Sequence, residues 1–148
     1  RSTLFPYTTL FRSGSWGWLN GEFYDTAFNE EEKGRIALTE VENKDHPQYG
    51  TEGGEDTEDR IFLLSLEEAE RYFGDDEDRR AFPTEYAIAK HAYMNSDLGT
   101  VWWWLRSPGR ISPRAAGVYT DGSLYSYGFR VDGNWGAVRP ALRLKMTP

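Results

Sequence analysis

Apolar and polar positions along this chain change period every few residues, which predicts many short elements rather than a few long ones. Residues 36–41 alternate and predict a strand, and residues 60–64 form a short apolar run that predicts a buried one. Residues 101–105 carry three successive tryptophans. Strand neighbours point to opposite faces, so Trp102 and Trp104 share one face and Trp103 takes the other. At least one of those faces must be core. Arg106-Ser107-Pro108-Gly109 then breaks the strand into a loop. Residues 115–120 and 123–131 predict a hairpin around Asp121-Gly122, a strong two-residue turn signal. Residues 132–136 make another loop, and 138–144 a last strand in which Pro140 implies an edge position or a bulge.

Helical periods appear between these strands, most with a start signal. Ser15 caps a short helix carrying Trp16, Leu19 and Phe23, which Asn20-Gly21 ends early or bends. Asn29 and Glu32 form a capping box for a helix that Gly34 interrupts, and Ser65 and Glu68 form another for a helix to about Phe73, stopped at Gly74. Thr84 caps a helix over 85–94 with Tyr86, Ala89 and Tyr93 as its buried stripe and His91 upon it. The charged residues 75–80 predict a solvated loop. Residues 43–59 form a long loop with Gly and Pro punctuation, of a length that is usually functional or mobile. Together these elements describe a small β-rich scaffold with short helices and long loops.

Composition refines the picture. A chain of 148 residues suffices for one domain with a core, and its 23 Phe, Trp and Tyr, 16% of the chain, include large rings that can fill that core. The 17 Lys and Arg against 24 Asp and Glu leave a net charge of −7, which argues against nucleic acid or an anionic membrane as the main partner. No apolar run is long enough to cross a bilayer as a helix. Residues 3–13 resemble a translated sequencing adapter. Residues 1–13 are therefore expected to be an adapter-derived artefact, with the domain occupying 14–148 and lacking its N-terminal strands.

The residues offer little for catalysis. Cysteine is absent, which removes disulfides, a thiolate nucleophile and Cys-held metals. His46 and His91 are the two histidines, and no elbow motif sets either beside a serine. The Gly-rich stretch 50–54 lacks a P-loop lysine. Glu52, Glu55, Asp56, Glu58 and Asp59 raise calcium as a cofactor, but they lack the Asp-x-Asp-x-Asp-Gly spacing, and solvated turns are the expected reading. A pair of carboxylates acting as in glycosidases stays open, with nothing to single out a pair. The stronger signal is recognition. Tyr119, Tyr125, Tyr127, Phe129 and Trp135 crowd the hairpin and the loop after it, with Arg110, Arg114, Arg130 and Asn134 among them. These residue types bring large contact area and hydrogen bonds to a binding surface. About half of the rings are expected to be core instead, because strand faces alternate.

Trp103-Trp104-Leu105-Arg106-Ser107-Pro108-Gly109, Asp121-Gly122-Ser123 and Val138-Arg139-Pro140-Ala141-Leu142 resemble a bacterial family of unknown function marked by WWLRSPG and VRPAL. Upstream, Trp18-Leu19-Asn20-Gly21-Glu22-Phe23-Tyr24, Tyr49-Gly50-Thr51 and residues 56–65 extend the likeness over nearly everything after residue 14. The family resembles the C-type-lectin-like fold in its formylglycine-generating, sulfatase-modifying branch. That resemblance implies an α+β domain, with a twisted antiparallel sheet, two or three short helices, long loops and a loop-rich ligand face. It does not imply the branch's oxidase activity, whose cysteines or clustered histidines are missing here. The same fold supplies variable targets of diversity-generating retroelements, and by that likeness Arg110, Arg114, Tyr119, Tyr125, Tyr127, Phe129, Arg130, Asn134 and Trp135 are the displayed positions. The expectation is a non-enzymatic module that binds a protein or glycan ligand, outside the cell or on a bacterial surface. The alternatives are a structural module of a multidomain surface protein and a carboxylate- or calcium-dependent enzyme.

Overall fold

The computed structural model describes residues 17–133 and 136–146. Its helices are α1 (Tyr24–Ala27), α2 (Glu30–Arg35), α3 (Leu66–Tyr72), α4 (Asp76–Arg79) and α5 (Glu85–Ala89), and a π-helical turn, Leu19–Phe23, leads into α1. The strands are β1 (Thr39–Val41), β2 (Thr57–Asp59), β3 (Trp103–Pro108), β4 (Arg114–Val118) and β5 (Leu124–Arg130). The class is α+β, as expected, but the strands divide into two antiparallel sheets, β1-β2 and β3-β4-β5, in place of one. Short helices are also more numerous than the two or three expected.

Caps explain the helices. Asn29 and Ser65 each accept the N–H three residues on, while Glu32 and Glu68 reach back to the cap amides. Thr84 accepts from the amide of Ala87. Asp75 does the same for Asp78, and so residues 75–80 start as helix α4 rather than running as a solvated loop. Ser15 and Trp16 lie outside the described residues, but the bend expected at Asn20-Gly21 is present. Gly21 leaves helical geometry (φ −107°, ψ −106°), and Asn20 turns inward. Its amide oxygen accepts the N–H of Arg60 and Ile61 while its nitrogen donates to the Ile61 carbonyl, fixing the π turn to the 60–64 segment.

The core lies on both faces of β3. Trp102 and Trp104 pack with Leu19, Ile36, Ile61, Leu63 and Val131, while Trp103 and Leu105 pack with Ala69, Ala116 and Val118. All three tryptophans are buried, and each such side chain is worth about 1.5–3 kcal/mol. Arg106 is buried with them. It donates to the carbonyls of Glu42 and Leu63 and pairs with both oxygens of Glu68, which ties β3 to β1, to the 60–64 segment and to the start of α3. For this reason Arg106-Ser107-Pro108 continues β3 instead of breaking it, with an irregular register between Trp104 and Pro108.

Three expected elements shrink. Within residues 60–64, Ile61, Phe62 and Leu63 are buried, and the segment makes one bridge, Phe62 to Ala141. Residues 138–144 form no strand and touch the body through the bridges Ala141–Phe62 and Leu144–Ile36, with Pro140 between Ala137 and Ala141. Helix α5 stops at Ala89, so His91, at φ +64°, lies beyond it. The stripe expected to be buried is open, with Tyr86 59% and Tyr93 56% exposed.

Candidate functional site

The long connection between β1 and β2 folds onto the hairpin β4-β5. Its own acids shape it: Asp45 accepts the N–H of Gly53, and Asp56 accepts that of Asn43. Asp59 is engaged by Thr57 and Asn20. Among the described residues no three His, Asp or Glu side chains are grouped to hold a metal ion. Of the acids considered for calcium, Asp56 is engaged by the Asn43 amide, and Asp59, in β2, by Thr57 and Asn20.

His46 is the anchor of this loop and is buried. Its Nδ1 accepts from the backbone N–H of Gln48 and Tyr49, which assigns the ring proton to Nε2, 3.0 Å from the Ser126 carbonyl in β5. The imidazole also packs on Tyr49, with ring centroids 4.7 Å apart. Thr51 adds a hydroxyl bond of 2.7 Å to the carbonyl of Arg110. Two residues that the sequence gave no reason to place beside the hairpin, Tyr49 and His46, therefore join it. Their partner Ser126 lies 80 positions from His46, beyond any local pattern.

The result is a continuous row of rings. Tyr119 and Tyr125 are 4.6 Å apart, Tyr125 and Tyr127 stack at 6.1 Å, and Tyr127 meets Tyr49 edge-on at 6.4 Å. Arg110 and Arg114 both lie over Tyr127, at 5.2 and 5.0 Å, and Arg110 also lies 5.8 Å from the Tyr49 ring. Arg110 donates to the Tyr127 hydroxyl, and Arg114 to the Gly128 carbonyl. Tyr49, Tyr119 and Arg110 are exposed, while Tyr125, Tyr127 and Arg114 are half-buried. Partial burial, followed by the neighbouring Tyr125 hydroxyl and the charge of Asp121, pushes the Tyr119 phenol up to about 12.

Phe129 does not belong to this displayed set. Its ring stacks on Trp102 at 4.1 Å and meets Trp104, Tyr119 and Tyr125. The residue pairs with Ala115, and Gly117 makes room, since a Cβ there would sit 2.8 Å from the ring. Phe129 is thus the seat that joins the tyrosine row to the core. Arg130 is exposed and engaged with Asp132 at 2.9 Å, apart from the row's two arginines. Asn134 and Trp135 lie outside the described residues. The expected two-residue turn is a three-residue one: Tyr119 N–H bonds the Ser123 carbonyl, and Gly122, at φ +87°, takes the left-handed position.

A separate groove of about 370 Å³ shares no residue of the tyrosine and arginine row, although Asn43, Asp45 and Gly53 of the loop line it. Arg106 and Glu68 line it, and its rim carries Glu40, Glu67, Arg71 and Arg143, so both signs of charge face it.

These features define a small α+β domain whose paired sheets support an exposed tyrosine and arginine face. The chain belongs to the family described as a domain of unknown function, DUF6273, whose model matches residues 12–146. No curated protein and no solved structure matches the chain.

Proposed function

We propose that this chain is a non-enzymatic binding module of the C-type-lectin-like kind, presenting its tyrosine and arginine face to a protein or glycan at or outside a bacterial surface. One observation carries the reading. Tyr49, Arg110, Arg114, Tyr119, Tyr125 and Tyr127 come from separate segments and meet in one row on the outside of the sheet. Rings and guanidiniums gathered on a surface favour recognition, because they offer large area and hydrogen bonds at small entropic cost. In a retroelement-diversified member, these are the positions such a system would vary.

The test is a glycan and surface-protein array probed with the whole chain and with Tyr125→Ala/Tyr127→Ala. Truncating two central rings should weaken any specific interaction about 30-fold, since each such contact contributes roughly 1–2 kcal/mol or more. Melting curves identify whether the variant is folded. A folded variant that keeps every interaction of the parent chain rejects the reading.

A further inference from the structure

We infer that the partner of this face is an acidic peptide segment, bound through its carboxylates by Arg110 and Arg114. This inference rests on the binding role proposed above and adds the chemistry of the ligand.

Charge is the first observation. The chain has seven more acids than bases, yet among the described residues neither Arg110 nor Arg114 forms an ion pair. Arg35, Arg79, Arg80, Arg106 and Arg130 each hold a carboxylate; Arg60, Arg71, Arg139 and Arg143 hold none either, but only Arg110 and Arg114 lie together over one ring of the row. Two guanidiniums stacked on one ring and left without acids, in a chain rich in acids, make a local positive spot that complements an anion. Each commits an Nη1 hydrogen to the protein, which holds the fork in place and leaves other N–H groups to meet a carboxylate in pairs.

Geometry then selects among anionic ligands. The tyrosine faces are largely engaged by one another and by the guanidiniums: Tyr125 stacks on Tyr127, and Tyr127 is covered by Arg110 and Arg114. A sugar acid needs an open ring face, whereas a peptide can use phenol edges and hydroxyls. The overall negative charge opposes any long polyanion, nucleic acid included, so the acidic segment is one short enough to meet the positive spot of Arg110 and Arg114 alone. The β5 carbonyls of Ser126, Tyr127 and Gly128 are already taken by His46, the Arg110 amide and the Arg114 side chain. The peptide therefore binds through side chains rather than by adding a strand to the sheet.

The experiment is fluorescence anisotropy with the whole chain and three labelled probes: a Glu-rich decapeptide, its Gln counterpart and a uronate oligosaccharide. The Glu peptide should bind at least about tenfold more tightly than the Gln peptide, and its binding should weaken with added salt. Arg110→Gln/Arg114→Gln should remove that preference, and Arg110→Lys/Arg114→Lys should restore part of it, because charge returns without the fork. Arg130→Gln, whose parent residue is paired with Asp132, should change nothing. Equal binding of the Glu and Gln peptides, tighter binding of the uronate probe, or Glu-peptide binding unaffected by the Arg110 and Arg114 variants overturns the inference. Failure of all three probes, alongside an array interaction lost in Tyr125→Ala/Tyr127→Ala, rejects the acidic ligand while the binding role stands.

Discussion

Replacing Arg106 with Met removes the most connected buried charge in the described structure. The guanidinium is 5% exposed and its partner Glu68 is 13% exposed. Arg106 donates at 3.2 and 3.1 Å to Glu42 and at 2.8 Å to Leu63, and it grips both oxygens of Glu68. Breaking a buried pair from one side costs about 3–5 kcal/mol, because the remaining charge has no partner. Glu68 keeps the Ser65 amide at 2.9 Å and opens onto the groove, where water reaches it, so the expected loss is near the lower end, about 3 kcal/mol. In a chain of this size that lowers Tm by roughly 6–12 °C.

The pH dependence gives a second check on the same pair. Burial pushes the Glu68 carboxyl up, but the bonds from Arg106 and the Ser65 amide, with the charges of Arg106 and Arg143, outweigh it and hold it below the usual range. A lowered folded value means stability that is present above the unfolded pKa and lost as pH falls through the folded one. In Arg106→Met burial acts with less opposition, so the gap between parent and variant should narrow as pH drops below about 4.5. Urea unfolding followed by tryptophan fluorescence reports both quantities, since Trp102, Trp103 and Trp104 are buried. A loss under about 1 kcal/mol at neutral pH, or an equal loss at about pH 3, refutes the reasoning.

Two further outcomes follow from local geometry. Ultraviolet titration of the tyrosines should show a late step near 12 that disappears in Tyr119→Phe. Because that phenol is raised, its contribution to stability is present below the ordinary value of 10.0 and lost toward about 12, and Tyr119→Phe should flatten that alkaline loss; an unchanged titration curve contradicts the placement. Gly122→Ala should lower Tm, since the left-handed backbone alone costs a side chain about 1–2 kcal/mol and its Cβ would meet the Asp76 carbonyl. Gly34→Ala, in exposed helix with open space around it, should instead raise stability by up to about 1 kcal/mol; thermal melts that rank the two the other way defeat the argument.

The caps at Asn29, Ser65 and Thr84 were legible because a cap is made within three residues of itself. The alternation of Trp102, Trp103 and Trp104 was legible because the strand period is fixed by backbone geometry. Arg79 was not. It sits in a charge run yet is buried, since its guanidinium bonds the Gly122 carbonyl and its own carbonyl accepts from the Trp103 indole, 43 and 24 positions away. Helical spacing correctly marked the start of α5 but said nothing of what would cover Tyr86 and Tyr93. The Arg/Tyr cluster of the hairpin was visible in composition. Its completion by Tyr49 was not, because it depends on one histidine reaching across the fold.

Scaffold and face differ in how deeply they pack: Phe129 stacks on the buried Trp102, while Tyr125 and Tyr127 are half-exposed. Strict alternation would put Tyr125, Tyr127 and Phe129 on one face. The register is interrupted between Ala115 and Gly117; Phe129 pairs with Ala115 and lies on Trp102, and Gly117 gives its ring the space. Tyr125 and Tyr127 stay outside and rest on that ring through Tyr125, while Arg110 and Arg114 lie over Tyr127. Exposed or half-exposed rings add less to stability than buried ones, so changing them alters contact chemistry at small cost to the fold. Trp103, Arg106 and Glu68 face inward and are engaged on several sides, and they carry the stability that such changes draw upon. On this argument the WWLR stretch is recognisable because packing fixes it, and the hairpin is where chemistry is free to change.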